Sequence, residues 1–131
     1  MVPRPAPRED GAPRGERRGS RAEAAVAEYL AKKGLVLVAT NLRLGKLELD
    51  VVAREGRVVV VVEVRERNAA SWTSGFGSID DKKRARVRRA AERLWQRRYK
   101  HDDSVDRLRI DAASVRFDSE GPSVEYVKAA F

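Results

Sequence analysis

The sequence predicts an α/β domain in which a mixed sheet is flanked by helices, in the order α-β-β-β-α-β-β. Two observations carry this expectation. Helix-period segments near residues 21–33 and 80–100 bracket three apolar, strand-like runs, and two more such runs follow the second helix. The length agrees, since 131 residues fit one domain and leave little room for two.

Residues 1–18 hold four of the five prolines (Pro3, Pro5, Pro7, Pro13) among glycine and arginine, with almost nothing to bury. Such a composition does not offset the entropy of ordering. A disordered tail is therefore expected over 1–18, and the folded domain over 19–131. Ser20 and Glu23 have capping-box spacing, and an alanine-rich stretch then runs to Gly34, a residue suited to ending a helix. Residues 35–38 read as a strand, 47–53 as a partly alternating one, and 58–65 as a β-branched run. Gly56 lies in the short link 54–57, where tolerance of positive φ favours a hairpin turn. Residues 68–77 are expected to form a loop of small side chains. The second helix is expected because Val87, Ala90, Ala91, Leu94 and Trp95 fall at i, i+3, i+4, i+7 and i+8. Two last strands are expected near 108–117 and 124–130, around a turn at 118–122.

Acids interrupt these strands at informative places. If Ala53 pairs with Val58, the hairpin sets Asp50 against Val61 and Glu48 against Glu63. Side chains alternate faces along a strand, so Glu48, Asp50, Glu63 and Arg65 are expected on one face. Asp50 and Glu63 are then diagonal neighbours, with Cβ atoms about 7 Å apart or less. One oxygen-ligated cation can be reached from both at that distance. Glu63 is the least expected residue, because five valines precede it and Val64 follows, whereas acids are depleted in strands. Opposed like charges repel unless a cation or basic side chain lies between them. The alternative is an edge hairpin whose charged face is simply hydrated.

Composition narrows the chemistry. There is no cysteine and a lone histidine, His101, so disulfides, thiolate metal sites and histidine-rich zinc clusters are excluded. A metal would have to be held by oxygen, which points to Mg²⁺ or Mn²⁺. The net charge of +8 favours a polyanionic partner, nucleic acid above all. The N-terminal stretch has no apolar signal-like region, and no apolar run reaches membrane-spanning length. A cytoplasmic protein without membrane contact is expected.

Glu48-Leu49-Asp50, a gap of twelve residues and then Glu63-Val64-Arg65 resembles the E-I-D … E-V-K signature of the PD-(D/E)XK nuclease superfamily. More narrowly, the chain resembles the YraN-like family of small bacterial proteins, relatives of Holliday-junction resolvases. Gly19, Glu23, Ala27 and Leu30 match its first-helix pattern, and Asn41-Leu42-Arg43 precedes the acidic strand as in the family. Phe76-Gly77, Lys83, Ala90-Ala91 and Arg109-Ile110-Asp111 match later parts in the same order. The resemblance implies a restriction-endonuclease-like three-layer core. It also implies that Asp50 and Glu63 hold a divalent metal, with Glu23 as a further acid from the first helix. Junction resolvases of the superfamily act as dimers, so the resemblance extends to a homodimer. Two departures stand out. Arg65 occupies the place of the family lysine, and arginine does not give up its proton as lysine can. Leu47 replaces the glycine that usually precedes the acidic strand.

The second helix region carries ten basic side chains against three acidic ones over residues 80–100. Lys82, Arg86, Arg89 and Arg93 form an outward stripe suited to a phosphate backbone, and Lys83 lies on the inward side near Val87. Trp72 and Phe76 are candidates for stacking on bases, with core packing as the commoner fate of such residues. The functional expectation is a metal-dependent endonuclease acting on structured or branched DNA. The second expectation is a nucleic-acid-binding module that keeps the fold without hydrolysis.

Overall fold

Five successive valines make both faces of a strand apolar, so that strand must be covered on both sides. The structure, a computed structural model describing residues 14–67 and 81–131 and the side chains among them from Arg21 onward, meets this demand with three layers. Helix α1 (Arg14–Lys32) precedes strands β1 (Val36–Leu44), β2 (Leu47–Glu55) and β3 (Val58–Arg67). Helix α2 (Asp81–Leu94) continues into a π turn, Trp95–Tyr99, and strands β4 (Arg107–Asp118) and β5 (Gly121–Val127) follow. The sheet order is β1-β2-β3-β4-β5, so the valine-rich strand is central. β3 and β4 run parallel and every other neighbouring pair is antiparallel.

The two faces of β3 go to the two helices. Val60 and Val62 meet Ala22, Val26 and Leu30 of α1, together with Val51, Ala113 and Val115. Val59 and Val61 meet Val87, Ala90, Ala91 and Leu94 of α2, together with Leu49 and Val52. Val59 to Val62 are wholly buried, each contributing roughly 1.5–3 kcal/mol through removal of apolar surface from water. The helical repeat at Val87, Ala90, Ala91 and Leu94 is therefore the buried face it was expected to be. The element order and mixed, helix-flanked sheet are those of the expected restriction-endonuclease-like core.

Local details differ from expectation. α1 is already helical at Arg14, directly after the last proline of the N-terminal stretch, so Ser20 and Glu23 lie within it and not at its start, where a capping box is expected. Its end is as expected: Gly34 takes φ 92°, and the Leu35 amide closes onto the Leu30 carbonyl. β1 extends to Leu44, well beyond the four residues expected of it. The β2–β3 turn contains Gly56 and Arg57 alone, so Glu55 pairs with Val58 and the register moves two residues from the expected Ala53–Val58 pairing. Gly56 at φ 60° supplies the left-handed conformation that so tight a turn needs. Expectations for the loop 68–77, including Trp72 and Phe76, and for Asp80 fall outside the described residues.

Candidate functional site

β2 and β3 pair from Glu55↔Val58 as far as Val51↔Val62, where their ladder stops. Counted one step further, the register sets Asp50 against Glu63, not against Val61. The expected opposition of Glu48 and Glu63 is corrected in the same way, since Glu48 counts against Arg65. At this point the Asp50 carboxylate accepts a hydrogen bond from the Val64 backbone amide at 2.9 Å. Strict alternation also fails here. Leu49 and Val52 are three residues apart, yet both pack into the core beneath α2.

β1 has a matching irregularity. Between the pairs Thr40↔Val51 and Leu42↔Leu49 stands Asn41, buried and at φ 51°. Asparagine tolerates this left-handed conformation better than most side chains, because a short polar group can bond locally. Its Nδ2 donates to Oε1 of Glu23, which α1 brings in buried. The sheet is thus locally opened around Asp50, with Asn41 and Glu23 on one flank and Glu63 on the other.

The electrostatics follow from this geometry. Burial pushes the Asp50 carboxyl well above the usual carboxylate range, and the Glu63 and Glu23 carboxylates push it the same way. The Val64 amide and the Lys83 ammonium act in the opposite direction. Glu63 is buried, and Lys83 of α2 places its Nζ 2.8 Å from Glu63 Oε2. Asp50, Glu63 and Lys83 line a cavity of about 280 Å³ together with Lys46, Leu47, Glu48, Arg86 and Val87. Among the described residues, no group of three or more acidic, histidine or cysteine side chains converges closely enough to hold a metal ion by itself. A cation held here would take Asp50 and Glu63 and complete its shell with water or a ligand phosphate. The donor set fits Mg²⁺ or Mn²⁺: both ligands are carboxylate oxygens in a partly desolvated place.

Of the residues singled out in the sequence, Glu48, Asp50, Glu63, Lys83 and Arg86 share this cavity. Glu23, held by Asn41, is not among the lining residues but is near enough for its charge to raise the Asp50 carboxyl. Arg65 sits half-buried two residues beyond Glu63 on β3 and is not among the cavity's lining residues. Lys82 and Arg89 are exposed on α2. Arg93 is exposed too, but its Nη1 donates to the Leu44 carbonyl at 3.1 Å and so also ties α2 to the β1–β2 turn. Asn41 and Lys46 carried no assigned role in the sequence, although Asn41 belongs to a triplet that matched the family pattern. A polar residue inside a β-branched strand, three positions past the apolar run 35–38, is too ordinary a signal without its partner.

Arg109 and Asp111 form a different polar cluster on the α1 side of the sheet. Asp111 is wholly buried and accepts from Arg109 Nε (2.9 Å), Arg109 Nη2 (3.0 Å), the Ala129 amide (2.8 Å) and the Tyr126 hydroxyl. Tyr126 stacks on Tyr29 of α1, their ring centroids 5.3 Å apart. This cluster ties β4 to β5 and α1.

The sequence model of the Uncharacterised protein family UPF0102 matches residues 22–118, from the middle of α1 to the end of β4. The chain belongs to the UPF0102 family. It is 51% identical over 125 residues to a UPF0102 protein of Sorangium cellulosum, covering 92% of this chain and 87% of that one. It is 37% identical over 117 residues to a UPF0102 protein of Pelotomaculum thermopropionicum, with 86% and 93% covered. A UPF0102 protein of a Parafrankia strain is 34% identical over 117 residues, with 88% and 97% covered. The matched stretch spans the positions of both carboxylates, Asn41, Glu23 and Lys83. No helix among the described residues is long and apolar enough to cross a membrane.

Proposed function

We propose that this UPF0102 protein is a metal-dependent endonuclease-like enzyme acting on structured or branched DNA. The observation that carries the reading is the meeting of Asp50 and Glu63 in one cavity, with an Asp50 carboxyl that burial and like charge push up. Such an arrangement opposes folding, and perturbed carboxylates of this kind cluster at functional sites. Mg²⁺ or Mn²⁺ bound there would act as a Lewis acid on the scissile phosphate and lower the pKa of a bound water. The chain's own residues do the rest. Asp50 and Glu63 hold the cation, the Val64 amide fixes the Asp50 carboxylate, and Asn41 positions Glu23 beside it. Lys46, Lys83 and Arg86 surround the cavity with positive charge and orient a phosphate over the acids. Glu48 lines the same cavity at its exposed side. The exposed bases Lys82 and Arg89 hold the flanking backbone, with Arg93 beside them. A homodimer spanning a two-fold branched substrate and a cytoplasmic location belong to this reading.

The test is incubation of pure protein with labelled branched and linear DNA in Mg²⁺ or Mn²⁺, beside Asp50→Ala. Cleavage by the natural sequence that disappears in the variant and in chelator is the expected result. No metal-dependent cleavage of either substrate would overturn the enzymatic reading. Arg65 favours the second reading, a nucleic-acid-binding module without hydrolysis, because a guanidinium, unlike a lysine amine, cannot serve as a base toward water. Arg65→Lys separates the two. Cleavage should rise if water activation is what arginine weakens, with DNA affinity little changed because the charge is kept.

Binding itself has an independent check. Affinity for DNA should fall steeply as salt rises, and neutralising Lys82, Arg86 and Arg89 together should lower the slope of log affinity against log salt by about 2–3. An unchanged slope would mean that these bases are merely hydrated. Arg93 is best left in place, since its bond to Leu44 makes its loss a structural change as well.

A further inference from the structure

Most bases of α2 are exposed, but Lys83 is half-buried and its ammonium rests on Glu63. It stands one helical turn before Val87, whose side chain is in the core, so its stem is held against the cavity wall. An ammonium in this place gives a buried carboxylate part of what a divalent cation gives it. At contact distance from the same carboxylate an ammonium and a divalent ion repel in a partly desolvated cavity, so each weakens the hold of the other. Lysine is suited to yielding: it has a flexible four-carbon stem and three donors with no fixed plane. Once displaced, its ammonium remains beside Lys46 and Arg86, an accumulation of like charge that an entering phosphate relieves.

We propose that Lys83 is an internal counter-ion that stands on Glu63 in the metal-free protein and passes to a phosphate of bound nucleic acid when Glu63 takes up a divalent cation. The proposal rests on the metal-site reading given above and adds a positioning residue to it. Cation and nucleic acid then reinforce each other, and by linkage the reinforcement is reciprocal. The ammonium of this site comes from α2 at position 83, and the guanidinium of Arg65 is not its substitute.

Mn²⁺ titrations by calorimetry on wild-type protein, Lys83→Met and Lys83→Arg, without nucleic acid, test this directly. Methionine keeps the stem and removes the competitor, so Mn²⁺ should bind about tenfold more tightly. Its metal-free Tm should fall, because Glu63 then faces Asp50 uncompensated, and Mn²⁺ should restore it. Arginine can clamp a carboxylate with two parallel bonds and should yield less readily, weakening Mn²⁺ binding severalfold. In filter binding, Mn²⁺ should tighten DNA binding by wild-type protein and do so less in Lys83→Met. Equal Mn²⁺ affinity in wild type and Lys83→Met would overturn the counter-ion role while leaving the metal site standing. Absence of Mn²⁺ binding in all three proteins would overturn both. If the methionine variant does not fold, the arginine variant decides, and affinity equal to wild type would overturn the proposal.

Discussion

Asp111→Ala should cost this protein about 3–5 kcal/mol of stability, the size expected when one partner of a buried ion pair is removed and the other stays. The carboxylate has no exposed surface and is met on both oxygens by Arg109, Tyr126 and the Ala129 amide. Without it, the Arg109 guanidinium, itself largely buried, keeps Glu55 at 3.2 Å as a half-exposed partner. The Tyr126 hydroxyl and the Ala129 amide lose their acceptor together. Small domains have about 5–15 kcal/mol in all, so urea denaturation should show a midpoint shifted far down or no folded baseline. Glu55→Gln, acting on the exposed arm of the cluster, should cost about 1 kcal/mol or less. A loss of similar size in the two variants would show that Asp111 is no more important than a surface ion pair.

Asp50→Asn should act in opposite directions on activity and stability. Cleavage should fall by at least about a hundredfold, since the amide is a poor ligand for a hard divalent cation. The metal-free variant should nevertheless be the more stable protein at neutral pH, by about 1 kcal/mol, because a partly desolvated charge beside Glu63 is gone. Asparagine keeps an oxygen to accept the Val64 amide. The pH dependence has a definite sign. A carboxyl whose pKa is raised by folding holds its proton more tightly in the native state. Its favourable contribution is complete below the unfolded value, near about 3.9, and is lost as pH rises through the higher folded one. Wild-type protein in chelator should therefore lose this stabilisation on going from acid to neutral pH, and Asp50→Asn should lack that component. Melting curves across this range check it, and a variant less stable than wild type at neutral pH in chelator would contradict the electrostatic account.

Individual residues show how far the sequence could be read. Val87, Ala90, Ala91 and Leu94 repeat with a helix period over four positions, and a period that long leaves little alternative to one buried face. Glu63 stands out because an acid after five valines has no local reason to be there. The hairpin register was legible to within two residues, and the error arose at Arg54 and Glu55. Both look like turn residues, yet Arg54 is held in the strand by bonds to the Gly56 and Ser104 carbonyls, and Glu55 by Arg109. Partners fifty residues away decide where the strand ends. Because the shift is even, Glu63 and Asp50 both kept the expected face, two residues from Val61 and Val52 beneath α2, and alternation fails only beyond them at Leu49.

The sequence by itself determined the order of elements, the central valine strand, the two covering faces and the identity of the acids, because these follow from periodicities of two and 3.6 residues that a local run records. It also excluded thiolate metal sites and histidine-rich zinc clusters by composition. The tertiary structure alone decided which charges meet: that Asp50 stands against Glu63, that Asn41 ties Glu23 beside them, and that Lys83 rests on Glu63 while Arg65 lies outside the cavity. The physical reason is range. Burial of apolar surface is proportional to area and leaves its pattern along the chain, whereas an ion pair or hydrogen bond depends on a few ångströms between residues far apart in sequence.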